Sequence, residues 1–332
     1  MNPLRPLGSL FAAGVWARNA FYDRGFFNVR QLNWPVVSIG NLRVGGAGKT
    51  PFTILLGQLL QERKLAFDVL SRGYGRKSTG IKLVDEKGGP QEFGDEPLLI
   101  ARKLGVPVIV GADRYAAGSF AEKMFSQLRP AHGDSWMHIL DDGFQHRALA
   151  RDFDIVLVTP EDKTDHMLPA GRLREGISSL GRADAIILEE GTSGQGLPLG
   201  GKAVWRVRRK IELTRDALPN RPIVICGTAR PERFLNDLRN AEVEIVAQAI
   251  FRDHHAYTET DVTNLVGLRE QHHSAGFLTT EKDAINLAAA SPSAIDKLQP
   301  LVAVPLKMQL MDAQASLDTM LATIAQRVQA RQ

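Results

Sequence analysis

Residues 44–51 read Val44-Gly45-Gly46-Ala47-Gly48-Lys49-Thr50-Pro51, and residues of these types at this spacing suit the holding of a polyphosphate. The glycines let backbone N–H groups turn toward an anion, Lys49 supplies a point charge, and the Thr50 hydroxyl can ligate Mg²⁺ at the positive end of a helix. The loop follows an apolar run over residues 35–39 that reads as a buried strand. It precedes residues 52–60, whose apolar positions recur at helical spacing, so strand, loop and helix form a phosphate-binding unit. One position departs from the usual pattern: Arg43 stands where the first glycine belongs. A glycine-rich turn without a ligand is the bland alternative.

Further acids and bases stand near other strand ends. Asp141 and Asp142 follow the apolar run 136–140, placing two carboxylates at the carboxyl end of a strand, where open α/β sheets bind ligands. A carboxylate there, near Lys49 and Thr50, is the expected partner of nucleotide-bound Mg²⁺; an Asp-Gly turn is the alternative. Gly94-Asp95-Glu96-Pro97 precedes a helical pattern, so Asp95 reads either as an N-cap or as a group that orients or deprotonates a hydroxyl, with Glu96 helping to hold a metal. His254 and His255 are adjacent and cannot share one face of a helix or strand, which argues against a zinc site. One of them reaching a carboxylate base across a cleft fits better. His272-His273 lacks such context and reads as surface. Arg72, Arg76, Arg114, Arg172 and Arg174 lie in loops after apolar runs and suit a phosphorylated ligand or an anionic headgroup, although for any single one a surface ion pair fits as well. No arginine-aromatic stripe accompanies them, so nucleic acid is a poor partner.

The elements that must position these groups follow from the apolar pattern. Runs at 36–39, 67–70, 106–110, 137–140, 155–158 and 185–188 alternate with helical segments, the signature of a mainly parallel sheet with helices on both faces. The Gly, Ser and Pro-rich stretch 190–202 reads as a domain boundary. A shorter series at 223–226, 243–247 and 277–279 then implies a second, smaller α/β domain. Residues 204–213 and 301–310 both alternate and are expected to pair as a two-stranded linker, with residues 313–328 helical and returning to the first domain. The resulting division is 1–30, 31–200, 201–312 and 313–332. At 332 residues, with 44% hydrophobic and 23% charged, the chain has room for two such cores and a globular composition. The net charge of +4 favours an acidic ligand or surface, and the single cysteine, Cys226, excludes an internal disulfide and points to the cytoplasm.

Leu7, Leu10, Phe11, Gly14 and Phe21 fall on one face of an N-terminal helix, with Arg5, Arg18, Arg24 and Arg30 around it. The apolar run is too short to span a bilayer, and Arg18 stands where a signal-peptide cleavage site would be. Two readings remain from the pattern: a helix packed on the protein, or one lying in an anionic membrane interface with Phe11, Trp16 and Phe21 down.

Together these blocks resemble the tetraacyldisaccharide 4′-kinase family. The resemblance covers nearly the whole chain and rests on Gly40-Asn41, residues 44–51, Ser71-Arg72-Gly73-Tyr74-Gly75, the Gly94 to Pro97 block, Asp141-Asp142-Gly143-Phe144-Gln145-His146, Leu173-Arg174-Glu175, Asp253-His254 and Thr280-Glu281-Lys282-Asp283. The family's loop also lacks the first glycine, so Arg43 is no anomaly. The resemblance implies a P-loop NTPase-like fold and an ATP- and Mg²⁺-dependent lipid kinase of lipid A biosynthesis. That enzyme phosphorylates the 4′-hydroxyl of a tetraacylated glucosamine disaccharide 1-phosphate, peripheral on the cytoplasmic face of the inner membrane. It implies Asp95 and His254 as a proton-handling dyad, His255 being the less certain candidate, with Lys49 and Asp142 also catalytic. On the same resemblance Val44 to Pro51 would hold the nucleotide, and Thr50, Glu96 and Asp141 would serve the metal. Asn41, Arg72, Tyr74, Arg76, Arg114, Gln145, His146, Arg172 and Arg174 would face the lipid disaccharide. It also turns the N-terminal helix into a membrane contact, because a substrate with four acyl chains stays in the bilayer.

Two rivals share the loop. A membrane-surface ATPase switch of the partitioning type would carry a signature lysine just ahead of the paired glycines, where this chain has Val44. A GTPase would need the lysine of its guanine-reading motif two residues before the aspartate, a spacing that Lys282-Asp283 does not have.

Overall fold

A computed structural model describes residues 4–126, 136–291 and 293–331. In chain order the elements are α1 (Arg5–Asp23), β1 (Val36–Asn41), α2 (Lys49–Glu62), β2 (Ala66–Ser71), β3 (Lys82–Leu83), α3 (Pro90–Phe93), α4 (Asp95–Leu104), β4 (Val108–Val110), α5 (Arg114–Phe125), β5 (Trp136–Asp141), β6 (Phe153–Val158), β7 (Ala185–Glu189) and β8 (Ala203–Ile211). They continue with β9 (Ile223–Cys226), α6 (Pro231–Asn240), β10 (Ala247–Ile250), α7 (Glu259–Gln271), β11 (Phe277–Thr280), α8 (Glu281–Ala288), α9 (Ala294–Lys297), β12 (Leu301–Val304), β13 (Leu306–Leu310) and α10 (Ala313–Gln329).

The strands form a nine-stranded sheet in the order β13-β8-β7-β6-β1-β5-β2-β4-β3 and a four-stranded sheet in the order β10-β9-β11-β12. The large sheet is parallel except at its two edges, where β13 runs against β8 and β3 against β4. β1 lies between β6 and β5 and is buried along its whole length, as a strand covered on both faces must be. On one face, Phe52, Leu56 and Leu60 of α2, Leu98 and Ala101 of α4, and Met320 and Ile324 of α10 join Val37, Ile139 and Ile155 in one core. On the other, Ala117 and Ala121 of α5 pack with Val36, Leu70 and Leu140. The carboxyl ends of β1, β2 and β5 therefore share one rim, and Asn41, Ser71 and Asp141 stand on it.

Four sequence expectations are corrected by the topology. Residues 190–202 connect β7 to β8, which are neighbours in one sheet, so this stretch is a surface loop and the second unit begins only after β8. The expected two-stranded linker is present as the β8/β13 pair, but β8 is also bonded to β7, so the pair forms the edge of the large sheet. Nor is 301–310 one strand. Pro305, which has no N–H to give a ladder, separates β12 in the small sheet from β13 in the large one. Finally, the strand expected at 243–247 lies later, at Ala247–Ile250, in register with Ile223–Cys226. Val243 and Ile245 are spent instead on packing against Leu235 and Leu238 of α6.

Candidate active site

Positive φ values at Gly45, Gly46 and Gly48 (70°, 61° and 86°) turn the chain from β1 into α2, and Lys49 opens the helix. A side chain on Gly45 or Gly46 would be strained, and it would also strike the second unit. A Cβ on Gly45 would lie 2.8 Å from Ala229 Cβ, and one on Gly46 would lie 2.9 Å from Arg230 Cγ. Arg43 is only 4% exposed and anchors the loop from below. Its guanidinium donates to Thr159 Oγ1 at 3.0 Å and to Asp165 Oδ2 at 3.0 Å, with Asp162 at 3.4 Å.

Lys49 Nζ reaches Asn41 Oδ1 at 3.2 Å and lies 3.6 Å from Asp142 Oδ1. Arg174 grips Asp142 with both guanidinium nitrogens, at 2.7 and 3.0 Å, and also donates to Asn41 Oδ1. Asp142 holds a left-handed φ of 51°, which separates its carboxylate from that of Asp141. The two acids then titrate in opposite directions. Burial opposes ionisation of Asp142, but Lys49 and Arg174 outweigh it and hold the carboxyl far below its usual range. Asp141 is pushed up to about 7 by burial and by the nearby charges of Glu96 and Asp142, against Lys49 and a 3.1 Å bond from Thr53 Oγ1. Thr50 is buried in the first turn of α2, and Glu96 is half-buried.

Gly94, at φ 92°, is the N-cap of α4, and Asp95 is its first helical residue, so the N-cap reading of Asp95 is corrected. Asp95 Oδ2 accepts from Asn286 Nδ2 of α8 at 3.0 Å and lies 2.9 Å from His254 Nδ1. Burial raises the Asp95 carboxyl, yet the His254 bond, the Lys282 charge and Asn286 bring it below its ordinary value. Burial likewise lowers His254, and the bond to Asp95 raises it past its ordinary value. The pair is thus a carboxylate paired with a protonation-prone imidazole. His255 turns away: its Nε2 meets Asp261 Oδ2 at 3.1 Å and its ring stacks on Phe251.

Around the dyad, Tyr74 lies with its ring centroid 5.0 Å from that of His254, and the two line a small cleft with Asp95 and Asn286. Arg114 is buried against the carbonyls of Gly111 and Ala112. Burial and the neighbouring Arg72 charge make its proton easier to lose, against the opposing pull of Asp142, Asp141 and Asp113. His146, pushed down to about 4 by burial and by Arg114, has a buried Nε2 with no hydrogen-bond partner among the described residues, and the buried Gln145 Oε1 likewise has none there. Gln145 Nε2 donates to the Asn41 carbonyl at 2.9 Å. One expected ligand arginine stands apart from this group: Arg172 lines a separate cavity of about 670 Å³ on the β6/β7 side of the loop, with Ala47, Leu157, Ile187, Met308 and Arg230. Arg76 donates to the Gly80 carbonyl at 2.6 Å, and its Nη1 is buried without a partner among the described residues.

Sequence reasoning missed Asn286, Lys282 in its role beside the dyad, and Arg230. Asn286 and Lys282 are four apart on α8 and so share a face, a polar pair on a short helix that otherwise packs through Ile285 and Leu287. That spacing was the available signal; Arg230 offered none.

A model of the tetraacyldisaccharide-1-P 4′-kinase family matches residues 2–326. Tetraacyldisaccharide 4′-kinase of Koribacter versatilis (strain Ellin345) is 47% identical over 332 residues, covering 98% of this chain and 99% of that protein. The protein of the same name from Aquifex aeolicus (strain VF5) is 36% identical over 301 residues, covering 86% and 90%. A solved structure of LpxK from Aquifex aeolicus, an "apo" form in complex with ATP, superposes with a TM-score of 0.77 at 33% identity, covering 97% of this chain and 98% of that one.

Proposed function

This chain belongs to the tetraacyldisaccharide 4′-kinase family, and from that premise we propose how its residues carry out an ATP-dependent phosphoryl transfer to a lipid disaccharide. The activity is that of a phosphotransferase of lipid A biosynthesis with an alcohol acceptor and ATP as donor. The partitioning-type ATPase switch and the GTPase are not favoured.

The observation that carries the residue-level reading is the meeting of Asp95 with His254 on the rim that also holds Lys49 and Asp142. The backbone from Val44 to Pro51 and the Lys49 ammonium hold the phosphates of ATP, and the nucleoside takes the large cavity beside Ala47 and Leu157. Asp95, kept ionised and held by Asn286, accepts the proton of the 4′-hydroxyl as its oxygen attacks the γ-phosphorus and the bond to the bridging oxygen of ADP breaks. His254 orients that carboxylate and disperses the proton. Arg72, which is exposed, and Arg114, Gln145 and His146, each with a buried polar atom lacking a partner among the described residues, bind the acidic disaccharide, and Arg174 fixes Asp142.

Mg²⁺ suits this donor set, because Asp141 is crowded by Glu96 and Asp142 to the point that its own ionisation is suppressed. Thr50, Glu96 and Asp141 would hold the ion, which would supply charge neutralisation for the phosphates. Among the described residues no three His, Cys, Asp or Glu side chains form a metal cage, and Mg²⁺ characteristically borrows phosphate oxygens and water.

No helix among the described residues is long and apolar enough to cross a membrane. α1 nevertheless exposes Leu10 (72%) and Trp16 (70%), with Leu7, Phe11 and Phe21 also open and Phe26 beyond its end. It is held to the protein by polar contacts: Arg18 to Glu175 at 2.8 Å and Arg147 to Asp23 at 2.7 Å. That arrangement supports α1 as the contact with the inner-membrane surface, on the cytoplasmic face, where the lipid acceptor lies.

The test is incubation of the purified protein with ATP and tetraacyldisaccharide 1-phosphate in mixed micelles, followed by mass spectrometry of the lipid. Gain of one phosphate group at the 4′ position, absent with Lys49→Ala, is the expected result. An unchanged lipid with the wild-type protein would overturn the reading.

A further inference from the structure

The mechanism above leaves unused a lysine in an unfavourable place. Lys282 is the second residue of α8, where a positive charge opposes the helix dipole, so local propensity does not explain it. It is mostly buried, and its ammonium donates to Asp253 Oδ1 at 2.6 Å. Asp253 precedes His254 in a turn that forces His254 to a φ of 55°, and its Oδ2 lies 3.8 Å from His254 Nε2. The same Oδ2 lies 3.8 Å from where a Cβ on Gly45 would stand, so this carboxylate is held against the phosphate loop itself. The second unit therefore cannot bring His254 to Asp95 without also bringing a carboxylate to the ATP phosphates, into a site that already holds Asp95 and Glu96. Lys282 faces all three of these acids, and Asn286, one turn further along the same helix face, holds Asp95.

We infer that Lys282 is a positioning residue of the transfer reaction: it neutralises Asp253 against the nucleotide phosphates and pins the turn that delivers His254 to Asp95. It acts through Asp253, not by touching a phosphate. This rests on the kinase reading above and adds to it a second-unit cation on which both ATP binding and dyad assembly depend. The pairing also gives Asp253 and Lys282, 29 residues apart in the chain, a shared role that the dyad itself does not assign them.

The test is a double-mutant cycle on the full chain, read by direct calorimetric binding of ATP and by turnover with the lipid, on variants checked for wild-type melting. Lys282→Met should weaken ATP binding about tenfold or more and lower turnover further, because an unpaired carboxylate then faces the phosphates. Lys282→Arg, which keeps the charge, should retain most of both. Adding Asp253→Asn to Lys282→Met should bring ATP binding and turnover back to within about threefold of Asp253→Asn alone, since removing both charges removes the repulsion. Wild-type ATP binding and turnover in Lys282→Met would overturn the inference. So would a loss that Asp253→Asn fails to reverse, which would assign Lys282 to a phosphate or to the fold. If the wild-type protein transferred no phosphate to lipid, the kinase reading would fall, and the ATP-binding cycle would still decide the role of Lys282.

Discussion

His254 and Asp95 meet across the two units, Nδ1 of the histidine 2.9 Å from Oδ2 of the aspartate, although 159 residues separate them in the chain. The contact needs Gly94 to start α4 at the rim of the large sheet, and it needs the left-handed turn at His254 to extend from the end of β10. With Asn286 as a second holder, Asp95 is oriented as the proposed proton acceptor. Asp95→Asn should lower turnover about 10²- to 10⁴-fold while leaving ATP affinity within a few-fold, as measured by steady-state kinetics and calorimetry. A comparable loss of ATP binding would mean that Asp95 holds the nucleotide rather than the proton.

Much of this was legible beforehand. The phosphate loop, the acids at the end of β5, the Gly-Asp-Glu turn and the parallel sheet follow from spacing and apolar periodicity, which are local signals. The β8/β13 pair was also expected, but the other pairings and packings between distant segments were not legible. Nothing in residues 190–202 distinguishes a loop within a sheet from a boundary between domains, and only the β7/β8 ladder decides it. The apolar residues Val243 and Ile245 look like a strand until α6 claims them. The service of Asn286 to Asp95 depends on how α8 docks on α4, which no single-sequence pattern encodes.

The loop glycines make a separate claim. Gly45→Ala forces a Cβ to within 2.8 Å of Ala229 at a backbone angle disfavoured for alanine, so it should disturb both the phosphate loop and its seat against the second unit. Turnover should fall at least about tenfold with weaker ATP binding, and limited proteolysis should cut faster between the units. Wild-type kinetics in this variant would show that the two units are not in contact at the loop.

A buried pair away from the site governs stability. His138 Nδ1 lies 2.8 Å from Asp68 Oδ1, and Glu122 is 3.6 Å from its other nitrogen, all beneath Trp34. Burial disfavours the imidazolium, but Asp68 and Glu122 prevail and raise the histidine to about 9. Because the folded value exceeds the unfolded one, the histidine's contribution is complete below about pH 6.5 and is lost as pH rises through about 9, while burial raises Asp68 and offsets part of it. Urea unfolding of the wild type should show stability declining over that window. His138→Leu should be about 3 kcal/mol less stable near neutral pH, with the decline much reduced. An identical pH slope in the variant would place the proton elsewhere.

The exposed face of α1 predicts membrane binding that can be separated from folding. Leu10→Ser with Trp16→Ser removes two large apolar side chains that touch little of the protein. Flotation with vesicles containing anionic lipid should drop at least about tenfold, with the melting temperature unchanged. Retained flotation would move the membrane contact away from α1.

The central claim is that one site, assembled from both units, passes the γ-phosphoryl group of ATP to a lipid hydroxyl. Its most direct test follows ATP labelled in the γ-phosphate into mixed micelles of tetraacyldisaccharide 1-phosphate, comparing the wild type with His254→Ala. The account predicts label in the lipid for the wild type and a loss of about tenfold or more in the variant, with ATP still bound. Label released only as free phosphate by the wild type, or transfer undiminished without His254, would contradict it.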